Sequence, residues 1–152
     1  MRAGLSPQQY GRPHMQKDEL LALAKRVEAL NGPDMEIFYK VRDALWPYDP
    51  ATPIEDQLPA LLARQQFDRF VHGGAWLDAS MTLVPEGWNW RAGERDQGRP
   101  RAYVNNGKRL TIRSGLRNGL RSNPEAIWCE VVAATPALAL CAAALRALAW
   151  GE

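Results

Sequence analysis

Nine basic side chains crowd residues 91 to 123: Arg91, Arg95, Arg99, Arg101, Lys108, Arg109, Arg113, Arg117 and Arg121. Only Glu94 and Asp96 oppose them there, so the segment is net +7 in a chain whose total is +2, and the remainder is net −5. Arginine dominates, and its planar fork suits phosphate through paired hydrogen bonds. Gly115 and Gly119 let the backbone approach a ligand closely. Trp88, Trp90 and Tyr103 fall on neighbouring segments and could stack a base. The pattern points to a phosphate-bearing partner, a nucleic acid or a nucleotide-like ligand. Its candidate contacts are Arg109, Arg113, Arg117, Arg121, Lys108 and Tyr103. The plain alternative is a solvated arginine surface, with the tryptophans in the core.

Other chemistry finds little support. Cys129 and Cys141 are twelve residues apart, and His14 and His72 are distant from both, which matches no zinc spacing. Both cysteines read as small apolar filler. His72-Gly73-Gly74 resembles oxyanion-hole glycines, but the Gly-x-Ser-x-Gly elbow that must accompany it is missing. It reads instead as a helix cap with joining glycines. Glu130 is a charge in an apolar strand, and is expected on a solvent face or paired with an arginine. The sequence contains neither a phosphate-binding Gly-x-x-x-x-Gly-Lys-Ser/Thr loop nor a dinucleotide fingerprint. The expectation is a protein without catalysis, metal or cofactor.

The elements that must position these residues follow from periodicity. Residues 1 to 14 read as a loose tail, and Met15 reads as an internal translation start. Leu20, Ala24, Val27 and Leu30 mark a first helix, stopped at Asn31-Gly32-Pro33. Asp34 caps a second helix that runs to Leu45. A third spans about Ile54 to Val71, limited by Pro59, with Leu58, Leu61, Leu62, Phe67 and Phe70 turned inward. A short fourth runs from Leu77 to Val84, with Leu77, Met81 and Val84 in line. The period then becomes strand-like. Trp88 and Trp90 share one face of a strand. Asn106-Gly107 predicts a two-residue turn joining 101–105 to 108–113 as a hairpin. That pairing places Tyr103, Leu110 and Ile112 on the core face, and Arg101 with them, which fits badly. Residues 114 to 124 read as a polar loop and Ile127 to Ala133 as a further strand. Thr135-Pro136 opens a last helix to about Trp150. Arg146 is its only charge, so it is buried on more than one side or lies in an interface.

With 152 residues, 46% apolar and 24% charged, the chain is one ordinary globular domain of residues 15 to 152. The fold class is α+β: a small antiparallel sheet of three to four strands layered between helices, with a helical N-terminal part. The first residues lack the apolar core of a signal peptide, and the apolar stretch 127–150 is interrupted by Glu130, Pro136 and Arg146. A cytoplasmic protein with reduced thiols and no membrane contact is expected.

Four phrases carry a resemblance: "RVEALNGPDMEI" (26–37), "LDASMTLVPEGWNW" (77–90), "RAYVNNG" (101–107) and "AATPALALCAAALRAL" (133–148). They are similar to the small phage and prophage proteins grouped as the phage ABA sandwich domain. The likeness covers most of residues 18 to 149, and 47–71 reads as a helical insertion. It implies phage or prophage origin, a bacterial host cytoplasm and a layered α/β fold, and it brings no active site. Two functions follow as expectations. One is a non-catalytic binder using the arginine-rich hairpin. The other is an interaction or assembly accessory that binds a host protein or forms a homodimer through the alanine-rich last helix.

Overall fold

The computed structural model describes residues 17–94, 98–113 and 120–150, and the side chains of 111–121 stand outside that description. The expected tail, Met15, Arg95 and Arg117 lie outside the described residues. The elements run α1 (Lys17–Glu28), α2 (Met35–Leu45), α3 (Ile54–His72), α4 (Trp76–Met81), β1 (Asn89–Glu94), β2 (Pro100–Asn105), β3 (Thr111–Arg113), β4 (Leu120–Ser122), β5 (Trp128–Val132) and α5 (Pro136–Trp150). The fold is mixed α+β with a three-stranded antiparallel sheet and a helical N-terminal part.

Helix α5 forms the centre of the core. Alanine and leucine give it high helix propensity, and Thr135 accepts a hydrogen bond from Leu138 N at 3.1 Å, capping the first turn. Twelve of its fifteen residues are buried. One side of α5 packs on the sheet, and others meet α1 and α4. Its alanines let the neighbouring backbones approach closely. Helix α1 buries Leu20, Ala24 and Val27, and Arg146 clamps it to α5 through hydrogen bonds to both Glu28 oxygens, at 2.8 and 3.0 Å.

Helix α2 starts where the sequence indicated, with Asp34 accepting from Ile37 N at 3.2 Å. Its Phe38 meets Phe67 of α3 and Trp76 of α4 at ring distances of 6.1 and 5.1 Å. Arg42 ties the same helices together by reaching Asp68 at 3.0 Å. Helix α3 contains Pro59 rather than starting at it. Proline removes only one donor, and the preceding turn is held by Asp56 N and Gln57 N donating to Pro53 O. Its buried stripe is Gln57, Ala60, Phe67 and Val71, so Leu58 and Leu62 face outward against expectation. Apolar residues all round α3 made two stripes legible in the sequence, and packing on α2 and α4 selected one. Helix α4 is likewise turned: Ala79 and Ser80 are buried, while Leu77 and Met81 are exposed. Ser80 donates its shared hydroxyl bond toward Trp76 O and Ala137 O, both at 2.9 Å, which joins α4 to the start of α5. Gly74, at φ +72°, makes the left-handed step between α3 and α4.

The sheet differs most from expectation. Its order is β1-β2-β5, with Trp90 opposite Val104 and Val104 opposite Cys129. Strand β2 is therefore central and does not pair with residues 108–113. Those residues form a separate two-stranded ladder instead, with Ile112 opposite Arg121 and Arg113 opposite Leu120. The cause is Asn106. Its Oδ1 accepts from Lys108 N and Ile127 N, its Nδ2 donates to Glu125 O, and its backbone N–H donates to Ile127 O. These bonds commit the turn to the approach of β5, and Gly107, at φ +79°, directs the chain away from β2.

Candidate functional site

Strand alternation assigns the two faces of the sheet. Ala102, Val104, Cys129 and Val131 are buried under α5. Arg91, Gly93, Arg101, Tyr103 and Glu130 take the opposite face, where Arg91 aligns with Tyr103 and Tyr103 with Glu130. Tyr103 is thus on the outer face, correcting its expected core position. The same inversion resolves the misfit of Arg101, which also points outward. Trp88 packs against the core, whereas Trp90, on the helix-covered side of edge strand β1, stays partly exposed.

A groove of about 400 Å³ lies along this outer face, lined by Arg91, Gly93, Glu94, Arg101, Tyr103 and Glu130 among others. Glycine at 93 removes a side chain from its floor, and a Cβ there would meet nothing within 4 Å. Arg101 pairs with Glu130 at 3.0 Å, and Glu130 lies on the exposed face of its strand. The Nε–H of Arg101 is shielded from solvent and has no acceptor, an unmet donor in the groove wall. Tyr103 stacks on Trp128 with ring centroids 4.6 Å apart and planes 18° from parallel. Trp128 is 44% exposed, so much of its ring remains available to a third aromatic group.

The expected contacts divide between two places. Tyr103 belongs to the groove. Lys108 and Arg109 lie exposed on the arm beyond Asn106. Lys108 pairs with Glu125 at 2.9 Å, which lowers that carboxyl's pKa by hydrogen bonding and then by charge. Arg109 contributes its backbone carbonyl to Asn123 Nδ2 at 2.9 Å. Arg113 and Arg121 sit on the β3–β4 ladder, offset by one residue pair. The arm leaves the sheet at the end where Asn105 aligns with Trp128, beside the stacked rings. The hairpin reading overlooked Trp128, Arg91 and the groove. The signal was present in Arg101: an arginine forced onto a core face indicates that the face is inverted.

Among the described residues, no group of three or more His, Cys, Asp or Glu side chains gathers as a metal site. No described helix is long and apolar enough to cross a membrane. Cys129 and Cys141 are free and buried, and burial raises both thiol pKa values, that of Cys141 to about 12. Comparison with protein-family models, with curated proteins and with solved structures gives no match.

Proposed function

We propose that this chain is a non-catalytic binding protein that holds a single-stranded nucleic acid, or a nucleotide unit of one, on the open face of its sheet. The observation that carries the reading is the Tyr103–Trp128 stack beside Arg91 and Arg101. Exposed aromatics on a sheet offer bases a sequence-tolerant platform, and arginine adds phosphate and cation–π contacts. The groove itself holds two arginines and two carboxylates, so it selects by stacking and hydrogen bonding. Long-range attraction comes from the basic side chains of residues 108–121, with Lys108, Arg109, Arg113, Arg117 and Arg121 proposed as the phosphate-contacting set. The resemblance to phage ABA sandwich proteins supports a phage or prophage origin, with action in the cytoplasm of the bacterial host.

Fluorescence anisotropy with labelled single-stranded RNA and DNA, at two salt concentrations, tests this. Replacing Tyr103 and Trp128 by Ala weakens binding by about 5- to 150-fold for each base stack removed. Replacing Arg109, Arg113, Arg117 and Arg121 by Ala flattens the salt dependence by about 0.7 in slope for each phosphate that is no longer neutralised. Absence of salt-sensitive binding to any oligonucleotide or nucleotide by the folded wild type overturns the reading.

A further inference from the structure

The charges along the sheet groove are balanced. Arg91 and Arg101 stand against Glu94 and Glu130. Phosphate gains little from a surface offset in that way, so the groove suits an uncharged base. Trp128 covers one face of the Tyr103 ring and is not part of the groove lining, whereas Tyr103 is. The groove therefore lies against the other face of Tyr103, where a base can stack. Gly93, aligned with Arg101 across the strands, leaves the space for it: a Cβ there would meet nothing within 4 Å.

The residues beside that seat are suited to one edge chemistry. Tyr103 aligns with Glu130, and Arg101 is the next outward residue of β2. A base on the free face of Tyr103 thus presents an edge to the Arg101–Glu130 pair. A carboxylate offers about four acceptor positions, so pairing with Arg101 does not exhaust Glu130, which lies on the exposed face of its strand. Guanine carries two adjacent donors on its pairing edge, N1–H and N2–H, which a carboxylate accepts together, and its O6 beside them accepts from an arginine. Adenine and uracil offer a single donor there. Cytosine offers one donor and two acceptors, and its acceptors need two open guanidinium donors side by side. Arg101 Nη1 is bonded to Glu130 and Nε is shielded from solvent, so no such fork is open.

We infer, on the basis of the sheet-face function proposed above, that the groove over Gly93 is a guanine-selective subsite. Tyr103 supplies the stacking surface, Glu130 sets the base preference, and Gly93 keeps the seat open.

Fluorescence anisotropy with short labelled oligouridines carrying a single G, A, C or inosine tests it. Wild type binds the G oligomer about 5- to 150-fold more tightly than the A or C oligomer. Inosine, which lacks the N2 amine, falls between. Glu130→Gln levels the series, because an amide keeps one acceptor oxygen and sets its own donors against those of guanine. Gly93→Val also levels it, by filling the seat. Gly93 does not take a positive φ, so its backbone accepts a side chain, and circular dichroism confirms that both variants stay folded. Equal binding of all four oligomers by the wild type overturns the inference and leaves the stacking platform standing. A guanine preference that survives either substitution overturns it too. Failure of the wild type to bind any of the oligomers overturns the sheet-face function, and this inference with it.

Discussion

The Cys141 thiol gives the sharpest test of how completely α5 is enclosed. It is fully buried, and burial alone holds its pKa at about 12 against an ordinary 9.0. Unfolding releases it to water, so between those values the unfolded chain loses a proton that the folded chain keeps. The unfolded state then binds fewer protons, and stability falls as pH rises. The contribution is fully present below pH 9.0 and declines until pH approaches 12. At pH 10.5 the loss from this one thiol amounts to about 2 kcal/mol, from 1.36 kcal/mol per pH unit over 1.5 units. Cys141→Ala removes the titration. At pH 7 the variant is less stable than wild type by about 1–2 kcal/mol, since the sulfur leaves a small void among close-packed neighbours. At pH 10.5 that deficit vanishes or reverses. Urea denaturation of both proteins at pH 7, 9 and 10.5, followed by circular dichroism, gives the difference directly. The other groups that titrate in alkali are common to both proteins and cancel. A stability difference that does not change with pH would refute the claim that α5 shields this position from water. Rapid alkylation of Cys141 in the native protein would refute it equally.

Further expectations follow from single interactions. Leu145→Ala, at a position with no exposed surface on the inner turn of α5, costs about 3–5 kcal/mol in denaturant unfolding because the surrounding helices cannot collapse fully into the void. Asp34→Ala removes the cap of α2 and lowers stability by about 1 kcal/mol, while Asp34→Asn retains most of it. Asn106→Ala breaks three side-chain bonds that hold the arm to β5, costing about 2–4 kcal/mol and raising amide exchange at Ile127 and Lys108. Arg146→Met leaves Glu28 facing the α1–α5 seam without its partner and costs about 1–3 kcal/mol, with recovery in the Glu28→Gln/Arg146→Met double variant.

Much of the helical part was legible because its signals are local. Asp34 and Thr135 cap the helices they announce, and the near-absence of charge in residues 136–150 pointed to burial on several sides or to an interface, of which the structure shows the burial. Glu130, expected on a solvent face or beside an arginine, is both exposed and paired with Arg101. The signals that failed had two consistent readings. Residues 54–72 carry apolar side chains around most of the helix, and sequence periodicity could not choose which stripe would meet α2. Residues 76–81 are too short a helix for periodicity to fix its rotation.

Strand pairing lay beyond local reasoning. Asn-Gly signals a tight turn, and Gly107 does take a positive φ, but the turn does not name the strand that follows it. That choice was made by Asn106 bonding to Ile127 twenty-one residues later. Once β2 lay between β1 and β5, its faces were set by which side α5 covered. Tyr103 and Arg101 went outward together, and Ala102 and Val104 inward. The sequence by itself determined the class of fold, the approximate positions of the helices, the nearly uncharged last helix and the concentration of arginine in about a fifth of the chain. Only the tertiary structure decided which aromatics meet. Tyr103 and Trp128 are twenty-five residues apart in the chain and touch because two strands lie side by side, a long-range pairing that no local pattern encodes.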